Sequence, residues 1–275
     1  MSQYYCIYHG NCPDGFTSAW VIKRSLRDSV EFFAGTYQKD PPYDELKNKN
    51  VILVDFSYKK EVLEKIRDLA KSVLILDHHK TAEDDLKDIF GVTKVFDMSR
   101  SGCRIAWDYC FPNEYPPQAL LHVEDRDLWK WKLPNTRAIT TAIFSYDYTF
   151  ENWDMIMNSD LSELQRQGEI LEKKFNKDLN EIIGITKRRM LIGGYNVPVA
   201  NMPHIYASEG GNKLAKDEPF SAIYYLTSDG VVFSLRSDYG VDVSEIAKMY
   251  GGGGHRNASG FKVSYDKFLE FHIKE

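Results

Sequence analysis

Three short apolar runs near the start of the chain each end in Asp or His, and this recurrence constrains the fold most. The runs cover residues 4–8, 51–54 and 72–76 and are rich in Tyr, Val, Ile and Leu. Continuous apolar stretches of this length are typical of parallel strands that are buried on both faces. The carboxyl ends of such strands meet at one edge of the sheet, where open α/β folds bind ligands. The sequence therefore predicts an α/β fold with polar side chains gathered at that edge.

The residues that follow these runs are the groups that a metal-dependent hydrolase needs. The first run leads to His9 and Asp14, the second to Asp55, and the third to the Asp-His-His triplet at 77–79. Carboxylate oxygens suit hard divalent cations, and Mn²⁺ also accepts imidazole. Two cations about 3.5–4 Å apart can hold an attacking hydroxide and stabilise a leaving oxygen in phosphoryl transfer. We therefore expect a two-metal site that Asp55 or Asp77 bridges.

A fourth charged segment, at 124–127, lies between apolar residues and contains two aspartates. One of them, Asp125 or Asp127, would complete the metal shell, and we place Asp125 there first. The alternative interpretation is a solvated helical turn with local ion pairs.

In this order, the segments resemble the motifs of the DHH-family phosphoesterases that carry a C-terminal DHHA1 domain. The resemblance rests on 9–15, Asp55, 77–79, 125–127 and the glycine-rich stretch 251–260 far downstream. It implies cleavage of P–O bonds with two divalent cations, first of all Mn²⁺, with Mg²⁺, Co²⁺ and Zn²⁺ as alternatives. The family includes RecJ-type exonucleases, nanoRNases, cyclic-dinucleotide phosphodiesterases, pAp phosphatases and polyphosphatases.

The resemblance also implies a role for each matching residue. Asp77, His78 and His79 form the expected catalytic group, in which His79 either binds the phosphate or supports a ligand from outside the metal shell. The expected metal ligands are His9, Asp14, Asp55, Asp77, His78 and Asp125.

Substrate binding is expected in the C-terminal domain. The glycines of 251–254 either cap a helix and form a flexible loop, or let the backbone approach a phosphate or base closely, and we prefer the second interpretation. Arginine suits phosphate because its planar fork donates two parallel hydrogen bonds. The expected substrate-binding residues are Arg236, Gly253, Gly254, His255, Arg256 and Asn257.

Three further positions have two interpretations each. Cys12 stands where family members commonly have an acid. It either ligates the metal, which would favour Zn²⁺, or packs while His9 and Asp14 ligate, which we prefer. Ser101 either caps the helix after it, which we prefer, or marks a second phosphate-binding helix start. The aromatic segment 129–131 either stacks a nucleobase or packs against the core or a lid.

The alternation of strand-like and helix-like segments predicts a parallel-sheet catalytic domain over 1–155. Apolar residues at helical spacing predict a connecting helix over 156–190. A smaller α/β substrate-binding domain over 191–275 would follow, with a hairpin around 228–230 and a helix over 242–249.

Composition narrows the class of substrate. The net charge of −5 argues against a large basic surface for duplex nucleic acid, but not against short oligonucleotides.

No apolar run is long enough to span a membrane, and the N-terminus lacks a signal-peptide pattern, so we expect a cytosolic protein. The expected activity is metal-dependent hydrolysis of phosphoester bonds in short oligonucleotides or single-stranded nucleic acid, as by an exonuclease or a nanoRNase. The expected partner is short single-stranded RNA or DNA or a small nucleotide. The alternatives are pAp, cyclic dinucleotides or polyphosphate as substrates and, more distantly, a catalytically weak nucleotide-binding regulator. The sequence leaves the oligomeric state open, with a homodimer among the options.

Overall fold

The computed structural model describes residues 3–37, 39–238 and 240–271. The chain divides into two compact units, Met1–Lys173 and Lys174–Glu275. We call them the N-terminal and the C-terminal unit. The division falls inside a long helix, within the segment predicted to connect two domains.

A five-stranded parallel sheet forms the centre of the N-terminal unit. Its strands are β1 (Tyr4–His9), β2 (Val30–Gly35), β3 (Asn50–Val54), β4 (Ser72–Asp77) and β5 (Thr93–Phe96). They lie in the order β2-β1-β3-β4-β5, and every neighbouring pair is parallel. The strand order reverses at β1, which creates the crevice in which open α/β sheets bind ligands. The predicted parallel sheet is thus present.

Helices cover both faces of this sheet. They are α1 (Pro13–Leu26), α2 (Tyr43–Leu46), α3 (Lys60–Leu69), α4 (Lys80–Leu86), α5 (Gly102–Cys110), α6 (Gln118–Asp127), α7 (Thr136–Ile143) and α8 (Phe150–Met157), with a short 3₁₀ turn at Arg27–Ser29. Successive strand residues point to opposite faces. Accordingly, Ile52 and Val54 pack with α1 and α5, whereas Val51 and Leu53 pack with α3. Because both faces are buried, the strands read as continuous apolar runs.

The register of the sheet places the strand ends side by side. Tyr8 of β1 pairs with Val54 of β3, and Val54 pairs in turn with Leu76 of β4. The next residues along the three strands, His9, Asp55 and Asp77, therefore form one row at the carboxyl edge. Hydrogen-bond register alone brings together residues that are far apart in the sequence.

The C-terminal unit contains a second sheet, of six strands. Its elements are β6 (Arg188–Ile192), β7 (Tyr195–Asn201), β8 (Ser221–Thr227), β9 (Gly230–Arg236), β10 (Gly253–His255) and β11 (Ala258–Val263), with α10 (Ala207–Ala215), α11 (Val243–Lys248), α12 (Tyr265–Leu269) and a 3₁₀ turn at His204–Tyr206. The order is β10-β11-β9-β8-β7-β6, and only β7 and β8 are parallel among the described pairs. Apolar clusters pack on both faces.

The connecting helix, α9 (Leu161–Thr186), is shorter than the predicted segment 156–190. It begins after Asp160, and residues 188–190 belong to β6 rather than to the helix. Alternate residues of β6 are buried where it pairs with β7, so the period changes from helical to extended at this point. In the described part of the chain, no helix is long and apolar enough to cross a membrane.

Candidate active site

Asp55 lies at the centre of the cluster at the carboxyl edge of the N-terminal sheet. The residue is 1% exposed, and its backbone has a left-handed φ of 51° directly after β3. Oδ1 lies 3.1 Å from Nε2 of His78, and Oδ2 lies 3.4 Å from Nδ1 of His9. One carboxylate therefore faces an imidazole on each side.

Asp55 takes part in two groups whose ligand atoms lie within 4.8 Å of one another. The first comprises His9, Asp55 and His79, and the second comprises Asp14, Asp55 and His78. We call these the two triads. Because both include Asp55, this residue has the position that a bridging carboxylate requires.

The carboxylate of Asp14 is held by the start of α5. Its two oxygens accept hydrogen bonds from the backbone N–H groups of Gly102 (2.6 Å) and Cys103 (3.0 Å). These are N–H groups that a helix leaves unpaired in its first turn. A Cβ on Gly102 would lie 2.5 Å from Cβ of Asp55, so only glycine permits this approach. Ser101 is the N-cap residue of α5 and accepts a hydrogen bond from the backbone N–H of Arg104, as a cap does.

Asp77 is fully buried, and both its oxygens are engaged. Oδ1 accepts hydrogen bonds from the backbone N–H of His78 and from Nδ1 of His79, both at 2.7 Å, and Oδ2 accepts one from the hydroxyl of Ser57 at 2.6 Å. Asp77 belongs to neither triad. Asp77 is placed to orient the His79 ring from outside the metal shell. The sequence analysis considered such a supporting role for His79 rather than for Asp77. The sequence analysis did not predict this role of Ser57, because a single serine after a strand does not indicate any particular contact.

The two aspartates at the end of α6 face different surroundings. Oδ2 of Asp127 lies 3.6 Å from Nε2 of His78. Asp125 instead accepts hydrogen bonds from the hydroxyl of Thr136 (2.7 Å) and from the backbone N–H groups of Lys132 and Leu133. The structure thus brings Asp127 to the triads, and it turns Asp125, the first choice from the sequence, toward the following loop.

Cys12 lies beside the cluster as the residue before α1. Its thiol donates a hydrogen bond to Oδ2 of Asp55 at 3.4 Å. Burial raises the pKa of this thiol well above its usual value, and the neighbouring carboxylates of Asp55 and Asp127 add to the effect. The neutral, packed form of Cys12 is the arrangement that the sequence analysis preferred.

The charges in the cluster perturb one another strongly. Burial and the carboxylates of Asp55 and Asp127 raise the pKa of Asp14 well above its usual value. Burial would also raise the pKa of Asp55, but the imidazoles of His78 and His9 hold it well below its usual range. Burial opposes protonation of His78, yet Asp55, Asp127 and Asp14 raise its pKa to about 10. Groups that compete in this way for protons are typical of functional sites.

A divalent cation fits the donors that converge here. Nδ1 of His9 is buried and has no hydrogen-bond partner among the described residues, and it points to the carboxylate of Asp55. The carboxylates of Asp14, Asp55 and Asp127 all lie within 4 Å of Nε2 of His78. Oxygen and imidazole nitrogen are the ligands that Mn²⁺ accepts.

The expected substrate-binding residues of the C-terminal unit lie at the ends of its strands. Arg236 ends β9, and its guanidinium donates to the hydroxyl of Ser208 at 2.8 Å. The pair 256–257 forms the two-residue turn between β10 and β11, in which the side chain of Arg256 is 64% exposed.

Two of the four glycines at 251–254 lie in an ordered hairpin rather than in a flexible loop. Gly253 and Gly254 lie in β10 with His255 and pair with β11. Gly254 has a φ of 137°, and a Cβ there would lie 2.7 Å from the carbonyl oxygen of Ala258. Close strand packing therefore explains Gly254 without a ligand, while Arg256 at the turn remains accessible.

Comparison with known proteins agrees with this architecture. A family model described as the DHHA1 domain matches residues 204–274. An uncharacterized protein of Acanthamoeba polyphaga mimivirus is 34% identical over 94% of this chain and 67% of its own length. Oligoribonuclease NrnB of Bacillus subtilis is 25% identical over 98% of this chain and 75% of its own length. The crystal structure of RecJ from Thermus thermophilus in complex with Mn²⁺ matches 98% of this chain and 50% of that one, with a TM-score of 0.55 and 13% identity.

Proposed function

Because the chain belongs to the DHH-family phosphoesterases that carry a DHHA1 domain, we propose that it is a metal-dependent phosphodiesterase that hydrolyses short single-stranded oligonucleotides. The observation that carries the proposal is the position of Asp55 between the two triads. One shared carboxylate with separate partners on each side is suited to a pair of divalent cations. The relative named an oligoribonuclease supports a short RNA substrate.

The proposed ligands follow from these contacts. His9 and His79 with Asp55 would hold one cation, and Asp14 and His78 with Asp55 would hold the other. Asp127 lies near enough to His78 to join the second group. We propose Mn²⁺ as the metal, because the donors combine carboxylate with imidazole.

Divalent cations bound here would polarise a phosphoryl oxygen and lower the pKa of a water molecule. The protein's own contribution is to fix the ligands. Asp77 keeps the proton of His79 on Nδ1, which leaves the lone pair of Nε2 available to a cation. The first turn of α5 fixes both oxygens of Asp14. This preorganisation lets the site bind charge without rearranging.

In the C-terminal unit, we propose that Arg236, His255, Arg256 and Asn257 bind the substrate. The exposed guanidinium of Arg256 is the strongest candidate, because it is accessible and lies at a tight turn. Arginine there could donate two hydrogen bonds to a phosphate.

The test is a product time course with Mn²⁺ on a 5′-labelled dinucleotide, a long single strand, pAp, a cyclic dinucleotide and polyphosphate. We expect the dinucleotide to be converted to mononucleotides fastest. The control is Asp55→Asn, which keeps the size of the side chain and removes its charge. Preference for another substrate would replace the oligonucleotide assignment. No product from any of them would favour the nucleotide-binding regulator.

A further inference from the structure

The loop that follows Asp127 carries an aromatic cluster that the metal site does not use. The rings of Trp129 and Trp131 meet edge to face, with centroids 4.8 Å apart. The guanidinium of Arg137 lies 3.8 Å from the centroid of Trp131, and that of Arg126 lies 6.0 Å from the centroid of Trp129. Two indoles and two guanidinium groups thus form one cluster, and three of the four residues lie within four positions of Asp127.

Both tryptophans are held in an unfavourable backbone conformation. Trp129 has a φ of 54° and Trp131 a φ of 52°, in the left-handed region that bulky side chains rarely adopt. Such a conformation is strained and persists only where its surroundings enforce it. Strain of this kind, at two positions of one short loop, indicates that the direction of the rings matters.

Asp125 enforces this conformation. Its carboxylate accepts hydrogen bonds from the backbone N–H groups of Lys132 (2.9 Å) and Leu133 (3.1 Å), and its carbonyl accepts one from Lys130 (2.8 Å). The side chain of Lys130 also donates to the carbonyl of Ser99. The loop is therefore anchored on both sides of each tryptophan, which gives Asp125 a structural purpose.

The rings are not sealed in the core. Trp129 and Trp131 are half-buried, whereas the three other tryptophans, Trp20, Trp107 and Trp153, are at most 1% exposed. Nε1 of Trp131 is buried and has no acceptor among the described residues. An indole N–H without an acceptor costs free energy, and this one would gain an acceptor only if the ring or its neighbours shift when a ligand binds.

From these observations we infer that Trp129 and Trp131 form a stacking platform for a nucleobase of the substrate. The inference rests on the proposed function and narrows it to substrates with a base, which excludes polyphosphate. Trp129 follows Asp127 by two residues, so their Cα atoms lie at most about 7 Å apart. The platform is therefore carried by the same short segment as a proposed metal ligand. Arg126 and Arg137 add positive charge next to it, which suits a phosphate-bearing ligand.

The first measurement is tryptophan fluorescence with AMP in the presence of a chelator, which needs no catalysis. Stacking of a base should quench Trp129 and Trp131, while the three buried tryptophans should stay unaffected. We expect Trp129→Phe and Trp131→Phe each to remove part of the quenching. Absence of quenching in the unmodified protein would overturn the platform.

The second measurement compares KM for a dinucleotide with KM for its abasic analogue, which keeps the phosphodiester. We expect Trp129→Leu to raise KM for the dinucleotide about 5-fold to 150-fold, because stacking of a base on an aromatic ring is worth about 1–3 kcal/mol. KM for the abasic analogue should stay unchanged, and Trp129→Phe should restore most of the loss. Tyr115→Leu is the matched control, because Tyr115 is 91% exposed and lies outside the site.

The two measurements separate the platform from the proposed function. Quenching by AMP in a protein that hydrolyses no phosphoester would support the platform and reject the hydrolase. Hydrolysis with equal KM changes for both substrates would overturn the platform and leave the hydrolase standing.

Discussion

Nδ1 of His79 donates a hydrogen bond to Oδ1 of Asp77 at 2.7 Å. The carboxylate stays ionised: burial would raise the pKa of Asp77, but the His79 imidazole holds it below its usual value. The pair therefore fixes the tautomer and the orientation of the ring. A carboxylate behind an imidazole is the usual support of a metal-binding histidine.

This relationship predicts different consequences for two buried aspartates. Asp77→Asn removes the support of His79 but not a member of either triad, so metal affinity or activity should fall about 10–100-fold and recover partly with excess Mn²⁺. Asp55→Asn removes the residue common to both triads, and activity should be lost at any metal concentration. Calorimetric titration of Mn²⁺ into both variants measures the difference. Equal losses that excess Mn²⁺ does not restore would instead make Asp77 a direct ligand.

Substitution of the two aspartates at the end of α6 should have different effects, one on metal binding and the other on stability. Asp127→Asn should weaken Mn²⁺ binding and leave the melting temperature nearly unchanged, because Asp127 faces His78. Asp125→Asn should lower the stability by about 1–3 kcal/mol, because it weakens the buried hydrogen bonds that hold the loop after α6. Parallel metal titration and thermal unfolding test the two variants. If Asp125→Asn weakens Mn²⁺ binding and Asp127→Asn lowers the stability, Asp125 would be the metal ligand.

The row of His9, Asp55 and Asp77 could be predicted from the sequence, because each directly follows a continuous apolar run of the length of a buried strand. The choice between Asp125 and Asp127 could not be. Residues two positions apart on a helix point about 200° from each other, so only one can face the site, and sequence alone does not say which.

Two other features were also hidden from the sequence. The contact of Asp14 with Gly102 joins residues 88 positions apart through the packing of α1 on α5. The strand conformation of Gly253 and Gly254 depends on pairing with β11, since a run of glycines carries no periodicity of its own.

The stabilisation that Asp97 gives to the turn after β5 should be lost in acid. The hydroxyl and backbone N–H of Ser99 and the guanidinium of Arg100 lower the pKa of Asp97 to about 2. Because the folded-state pKa lies below the unfolded value, the stabilisation is complete above the unfolded pKa and is lost as pH falls toward 2. Solvent screens this group, so we expect about 1 kcal/mol or less. The stability difference between the unmodified protein and Asp97→Asn, measured by denaturant unfolding, should shrink on acidification. A difference that stays constant down to the acid transition would contradict this.

Glycine at position 102 should be required for both stability and metal binding. A methyl group there would lie 2.5 Å from Cβ of Asp55 and 3.0 Å from Oδ2 of Asp14, and the first contact cannot be relieved by rotating a flexible side chain. Gly102→Ala should therefore cost about 1–3 kcal/mol through overpacking and should weaken Mn²⁺ binding by displacing both carboxylates. Gly184→Ala is the matched control. Gly184 lies inside α9, and its added Cβ would meet nothing within 4 Å. That substitution should stabilise the protein by about 0.5–1 kcal/mol, since alanine favours the helix. Denaturant unfolding and Mn²⁺ titration of both variants provide the measurement, and normal metal affinity in Gly102→Ala would show that α5 does not position the ligands.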